Sequence, residues 1–169
     1  EAEGVLTDGL ARSQRVFGDE SPAAAEFVRN LAMLRLEQSR SVEGAKLAAD
    51  ALRRCERVYG PGDRHTLWAE LDVGVAELAT EGAAAAEPHF RRAYDGMRAL
   101  CGADHHDTIK CLDNLANCLR LQHRFAEAEP LLREAIAAMS RMAGDGHPDT
   151  LSALHTFGQF LLSRGGPGD

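Results

Sequence analysis

Residues 107–150 read "DTIKCLDNLANCLRLQHRFAEAEPLLREAIAAMSRMAGDGHPDT". Leu112, Leu115, Ala116 and Leu119 recur at steps of 3, 1 and 3, which places them on one face of a helix with 3.6 residues per turn. The spacing predicts a helix from about Asp107 to Gln122. After a short polar stretch, Ala128, Leu132, Ala135 and Met139 recur at steps of 4, 3 and 4 and predict a second helix from about Ala126 to Met142. Small residues alternate with large ones on the packing face, so two such helices can approach closely as an antiparallel pair.

The heptapeptide that ends this stretch, "GDGHPDT" from Gly144, returns at an interval of 42 residues as "GADHHDT" from Gly102, "GPGDRHT" from Gly60 and "GDESPAA" from Gly18. Four copies at one period mark an internal repeat. Each copy lies between two helical patterns, where a chain needs a glycine to stop one helix and a polar residue to start the next. Ser21, Asp63, His105 and His147 stand just before each new helix, where Ser or Asp accepts a hydrogen bond from an otherwise unpaired backbone N–H. Pro22 and Pro148 fall at the first helical position, which has no use for an N–H, and Asp107 and Asp149 follow near the positive end of the helix dipole. The polarity of the motif is thereby a matter of helix ends, with only the histidines lacking an assigned role.

The stretch "LDNLANCLRLQHRFAEAEPLLREAI" followed by "GDGHPDT" resembles the tetratricopeptide repeat (TPR), in the 42-residue form found in kinesin light chains and many bacterial proteins. The signature positions map onto Leu112, Leu115, Ala116, Leu119, Ala128, Leu132 and Ala135, and a second set onto Leu71, Gly74, Val75, Leu78, Ala86, Phe90 and Ala93. In the first full unit Val28, Leu31, Ala32, Gly44, Ala48 and Ala51 keep the pattern, but Arg35 stands where a large apolar residue is usual. The second unit has one residue fewer in its turn and one more in its first helix before Leu71, a compensated slip expected to re-aim the start of that helix, where Trp68 reads as a packing residue.

The resemblance implies an all-α fold, an α-solenoid of antiparallel helix pairs with about eight helices, forming one array over residues 1–164. Residues 1–17 align with "AEPLLREAIAAMSRMAG" three periods later and read as a second helix without its first. Full repeats follow at 18–59, 60–101 and 102–143, and 144–164 read as a first helix without its second, followed by a flexible tail at 165–169. Neither end resembles a polar capping helix, so two readings stand: weak caps, or a segment of a longer array that can self-associate through its ends as a homo-oligomer.

Composition narrows the function. A net charge of -7 argues against a nucleic-acid partner, because phosphate affinity comes from Lys and Arg displacing counterions. No apolar run reaches the roughly 18 to 20 residues a membrane span needs, and no signal peptide opens the sequence, so no membrane partner is expected. The chain does not begin with Met. Cys55, Cys101, Cys111 and Cys118 form no CxxC pair, and a chain of 169 residues folds without disulfides, which points to a reducing cytoplasm. Cys111 and Cys118 lie about 10.5 Å apart along one helix, too far for a disulfide.

Catalytic and metal chemistry find no footing. His65, His105, His106 and His147 sit in connectors one repeat apart, which would not converge on the roughly 2 Å that zinc coordination requires, and "GDESPAA" has no His at all. GxSxG, GxxxxGK and HExxH are missing from the sequence. The expectation is a non-enzyme with no cofactor and no metal.

What the resemblance implies instead is a protein-interaction scaffold whose first helices line a concave groove for a peptide of another protein. The outward positions of those helices give the groove candidates Arg29, Asn30, Met33, Asp72, Lys110, Asp113, Asn114, Asn117, Arg120, His155 and Gln159. Side-chain amides such as those of Asn30, Asn114 and Asn117 can bond both the C=O and N–H of a bound backbone, while Lys110, Arg120 and Arg29 could pair with acidic groups. The alternative is a structural or regulatory array that packs against other domains of its own chain. Because stacked repeats are stabilised by their neighbours, hydrogen exchange should show the terminal helices opening before the centre, and uniform protection along the chain would contradict an open-ended array.

Overall fold

The computed structural model describes residues 1–165; residues 166–169 and the side chains of Asp149 and Ser152 lie outside the described residues, and with them most of the tail expected at 165–169. Among the described residues are eight α-helices and no strand: α1 (Ala2–Phe17), α2 (Pro22–Glu37), α3 (Ser41–Tyr59), α4 (Arg64–Thr80), α5 (Ala83–Cys101), α6 (His106–Leu121), α7 (Phe125–Ala143) and α8 (Pro148–Arg164). They gather into two compact units, Glu1–Ala93 and Tyr94–Asp169.

The 42-residue motif is a joint with a defined hydrogen-bond pattern. Gly18, Gly60, Gly102 and Gly144 all hold φ between 87° and 91°, a left-handed conformation that a residue with a Cβ adopts only at a cost. Each glycine N–H closes the helix before it, donating to the carbonyls of Gln14, Glu56, Arg98 and Ser140 respectively. The carbonyls of Gly102 and Gly144 then accept the backbone N–H of His105 and His147, three residues on. They also accept the hydroxyls of Thr108 and Thr150, six residues on, at 2.8 and 3.0 Å. The next helix is thereby tied back to the end of the previous one.

Capping follows the sequence reading and extends it. The Ser21 hydroxyl accepts from Ala24 N–H at 3.3 Å and the Asp63 carboxylate from His65 N–H at 2.8 Å. His105 performs the same task, its Nδ1 accepting from Asp107 N–H at 3.2 Å. An imidazole nitrogen without a proton is an acceptor in the place of a hydroxyl or carboxylate oxygen.

In the first unit α2 packs on α1 and α3, and α3 on α4. The core is built from small residues, with Ala32, Ala48, Val73 and Ala76 in one cluster and Ala25, Cys55 and Ala69 in another, and Leu52 against both. Burial pushes the Cys55 thiol up to about 11. Arg35, at a position expected to be apolar, has a side chain only 12% exposed and reaches Glu3 of α1 at 2.7 Å and Glu43 of α3 at 3.6 Å. Its aliphatic stem is buried while the guanidinium binds the two neighbouring helices.

The second repeat corrects the expected slip. Asp63 caps α4 at 42 residues from Ser21 and from His105, and α5 begins 42 residues after α3 and before α7. The extra residue therefore lies at the C-terminal end of α4, where the helix runs on to Thr80 and the turn shortens to Glu81 and Gly82. Val73 and Gly74, not Gly74 and Val75, occupy the places of Leu115 and Ala116. A Cβ on Gly74 would meet the Phe90 ring at 2.6 Å, so α5 approaches α4 closer than any other residue would allow. Glu70 stands where Val28 and Leu112 stand in the neighbouring repeats. A charge there is invisible to a search for apolar periodicity, and it is accommodated because His89 and Arg92 of α5 bond it. Burial opposes ionisation of Glu70, but the hydrogen bonds from His89 and Arg92 outweigh it and hold the carboxyl below its usual range.

In the second unit α6 packs on α7 and α7 on α8. Leu112, Leu115 and Leu119 of α6 and Ala128, Ala135 and Ala138 of α7 are fully or almost fully buried, and burying a leucine contributes about 1.5 to 3 kcal/mol. Phe160 of α8 lies buried between the edge of Phe125 at 5.7 Å and the face of Phe157 at 5.9 Å.

Thr66 is the counterpart of Thr108 and Thr150, yet its buried hydroxyl has no hydrogen-bond partner among the described residues. Thr108→Val should therefore lower stability in urea unfolding by about 1 kcal/mol, whereas Thr66→Val should be neutral or stabilising. Equal losses at both positions would rule out the glycine–threonine tie as the source of the difference.

Candidate functional site

The groove candidates divide between the two units. In the first, the Arg29 guanidinium lies 3.2 Å from the Asp72 carboxylate, joining α2 to α4. The two charges compensate each other. Asn30 is exposed and Met33 half-buried on the same helix. Lys110, on α6, is exposed.

In the second unit five candidates share one cleft. Asp113, Asn114, Asn117 and Arg120 line it from α6 and Gln159 from α8, around a space of about 600 Å³. The small residues Ala116, Ala135 and Ala153 leave this room between the three helices. Leu132, Ile136 and Met139 of α7 and Phe160 of α8 supply an apolar lining, with Thr156 and Ser163 at the α8 side. His155 is not among the lining residues; it is exposed, and its Nε2 is 2.9 Å from Gln159 Nε2.

Sequence reasoning looked for ligand contacts only on the first helices of each pair and so missed the α7 wall. Ile136 carried a readable signal, since it sits one residue beyond the packing position Ala135 and extends the apolar face of α7 sideways. Phe160 and Ser163 had none, because their presence in the cleft depends on how α8 seats against α7.

The polar groups of the cleft are partly engaged. Asn114 donates to the Lys110 carbonyl at 2.8 Å, and the Arg120 guanidinium donates to the Asn117 side-chain oxygen at 2.8 and 3.2 Å. Asp113 is different. Burial alone shifts its carboxyl, which rises from the ordinary value of 3.8 to about 6. Elsewhere in the unit carboxylates are bonded to cations: Asp104 to Arg141, Glu127 to Arg124 and Glu129 to Arg133 and Arg164.

Two of the connector histidines, His65 and His105, serve helix ends and packing. His65 Nδ1 lies 2.9 Å from the Asp63 carboxylate, and its ring stacks on Tyr59 at 4.4 Å. His105 caps α6 through Nδ1, as described above. Among the described residues no helix is long and apolar enough to cross a membrane.

Comparison with known proteins agrees with this geometry. The family described as tetratricopeptide repeat matches at residues 28–99, 73–141 and 114–168. The chain belongs to the tetratricopeptide repeat family. Solved TPR structures superpose closely: the nearly identical TPR-like repeats assigned to a kinesin light chain of Podosopora anserina share 16% identity, with a TM-score of 0.84 over 98% of this chain and 78% of that one. BtubC (BKLC) from P. vanneervenii shares 16% identity with a TM-score of 0.81 over 97% of this chain and 66% of that one. The fold is thus a TPR α-solenoid of the kinesin-light-chain type. Among curated proteins, the clustered mitochondria protein homologs of Neosartorya fischeri and Aspergillus niger are 26% and 25% identical over 119 residues, which is 70% of this chain. The chain spans about 9% of each of those relatives. TPR repeats generally act as protein-interaction scaffolds and are typically non-catalytic.

Asp113 gives the cleft a measurable signature. Its carboxyl is raised in the folded state, so the stability it contributes is fully present below the unfolded value near 3.8 and is lost as pH rises through about 6. Asp113→Asn should consequently stabilise the protein by about 1 to 3 kcal/mol at neutral pH, and the gain should vanish below about pH 4. Urea unfolding at the two pH values checks this, and a destabilised variant at neutral pH would show that the carboxylate has a partner.

Proposed function

We propose that this TPR segment is a non-catalytic scaffold that binds a peptide of a protein partner in the cleft between α6, α7 and α8. The observation that carries the reading is the combination of amide and charged side chains from α6, Asp113, Asn114, Asn117 and Arg120, with an apolar lining from α7 and α8 around one space. Apolar walls with a few convergent polar groups are the usual make-up of a binding site. A side-chain amide can address a peptide backbone irrespective of its sequence, while Ile136, Met139 and Phe160 offer contact area for an apolar side chain. Arg29, Asn30, Met33 and Asp72 belong to the first unit and form a separate, secondary surface in this reading; Lys110 and His155 lie beside the cleft. The chain works in the cytoplasm, where buried thiols such as Cys55, Cys111 and Cys118 remain reduced. The curated relatives carry the matching region as a small part of a longer chain, and the same use is proposed here.

A second reading, packing against other domains of its own chain or self-association, is favoured by the apolar side chains exposed on the first and last helices. Val5, Val16 and Phe17 of α1 and Leu151, Leu154, Leu161 and Leu162 of α8 are each at least 41% exposed. Patches of this kind mark contact surfaces.

Selection of phage-displayed random peptides should yield binders to the wild type that lose at least about tenfold in affinity for Ile136→Glu, with the helical circular dichroism retained. Asn114→Ala combined with Asn117→Ala should weaken the same peptides. Unchanged affinity in both variants would move the binding surface away from the cleft.

A further inference from the structure

The cleft contains one group that its own walls do not satisfy. Asp113 lines it from α6, and neither a hydrogen bond nor an ion pair reaches its carboxylate from the described residues. Asp113 and Arg120 are the charged side chains of the lining. Those from α7 (Leu132, Ile136 and Met139) and from α8 (Thr156 and Gln159) are neutral, and the titratable His155 stands behind Gln159 outside the lining. Arg120 does not compensate the acid. It lies two turns further along α6, about 10.5 Å of helix rise, and its guanidinium is held by Asn117. Asp113 is half-buried, so its unpartnered carboxylate stays open to the cleft, where an entering cation forms a charge-assisted hydrogen bond with it.

We propose that the cleft recognises a basic peptide segment by seating one lysine or arginine side chain on the Asp113 carboxylate. This inference rests on the reading of the cleft as a peptide site. The charge complementarity selects the occupant. A glutamate would face the like charge of Asp113, and an apolar side chain would leave the carboxylate both dehydrated and unpaired. Arg120, at the other end of the same helix face, opposes a second cation and sets the direction in which the ligand lies, with its basic residue at the Asp113 end. The amide oxygen of Asn114, one residue from the acid, is an acceptor beside the same seat.

The test uses fluorophore-labelled peptides of about eight residues, acetylated and amidated, built from leucine, alanine and serine with one central lysine, norleucine or glutamate, and follows anisotropy with the whole chain. At about pH 7.5 the lysine peptide should bind about tenfold more tightly than the norleucine peptide, and the glutamate peptide most weakly. Lowering the pH to about 5 protonates Asp113 and should remove most of that advantage. Asp113→Asn should remove it at both pH values, while Lys46→Ala, exposed on α3 of the first unit, should keep the lysine preference; circular dichroism melts report whether each variant folds. Retention of the lysine preference in Asp113→Asn overturns the proposal. Equal binding of all three peptides by the wild type also overturns it and leaves the peptide site standing, whereas binding of none of them overturns the peptide site and this inference together.

Discussion

A left-handed glycine every 42 residues is the constraint on which the repeats depend. With φ near 90° the chain leaves one helix, and at Gly60, Gly102 and Gly144 the glycine carbonyl accepts, three residues on, the N–H of the residue just before the next helix. At Thr108 and Thr150, six residues on, the threonine hydroxyl closes on the same carbonyl, whereas that of Thr66 does not. The geometry between the end of one helix pair and the start of another is thereby set by hydrogen bonds within a few residues, independently of what the pair's faces contain. This local control explains how the second repeat can carry Glu70 and Glu77 at places that are Leu112 and Leu119 in the third without losing register.

The two units solve the burial of those faces differently. Around α6 and α7 leucines fill the space and dispersion contacts dominate. In the first unit Arg35 and Glu70 stand at places that hold apolar residues in the third repeat, and each is bonded to groups on adjacent helices: Arg35 to Glu3 and Glu43, Glu70 to His89 and Arg92. Satisfied pairs of this kind are tolerated because every partner is supplied, and breaking one leaves the other charge stranded. Ion pairs elsewhere repeat with the same period: Glu20 with Arg57, and Asp104 with Arg141 two repeats later. Such exposed pairs add little energy, but they fasten each joint to the helix beside it.

The cleft of the second unit follows from the same use of small residues. Alanine on α6 and α7 lets the helices approach, and where Ala116, Ala135 and Ala153 face one another the approach leaves room that Phe160 does not fill. Asp113 stands half-buried in the lining of that room without a hydrogen-bond or ion-pair partner among the described residues.

Much of this was legible in the sequence. The 42-residue period, the glycine stops, the caps at Ser21 and Asp63, and the helix pair from Asp107 to Met142 all follow from local backbone chemistry and from the 3.6-residue period, which act over a few residues. The joining of Asp113, Asn114, Asn117 and Arg120 on one helix face was equally a matter of spacing. The sequence misplaced the register of α4, because a search for apolar residues passes over Glu70, and it left the connector histidines without a role. It also missed Ile136, Met139 and Phe160 as cleft walls. Those outcomes belong to the tertiary structure: whether a charge can be buried, whether an imidazole nitrogen caps a helix and which side chains share a cavity depend on partners that packing brings together from separate helices, and no local pattern encodes their distance.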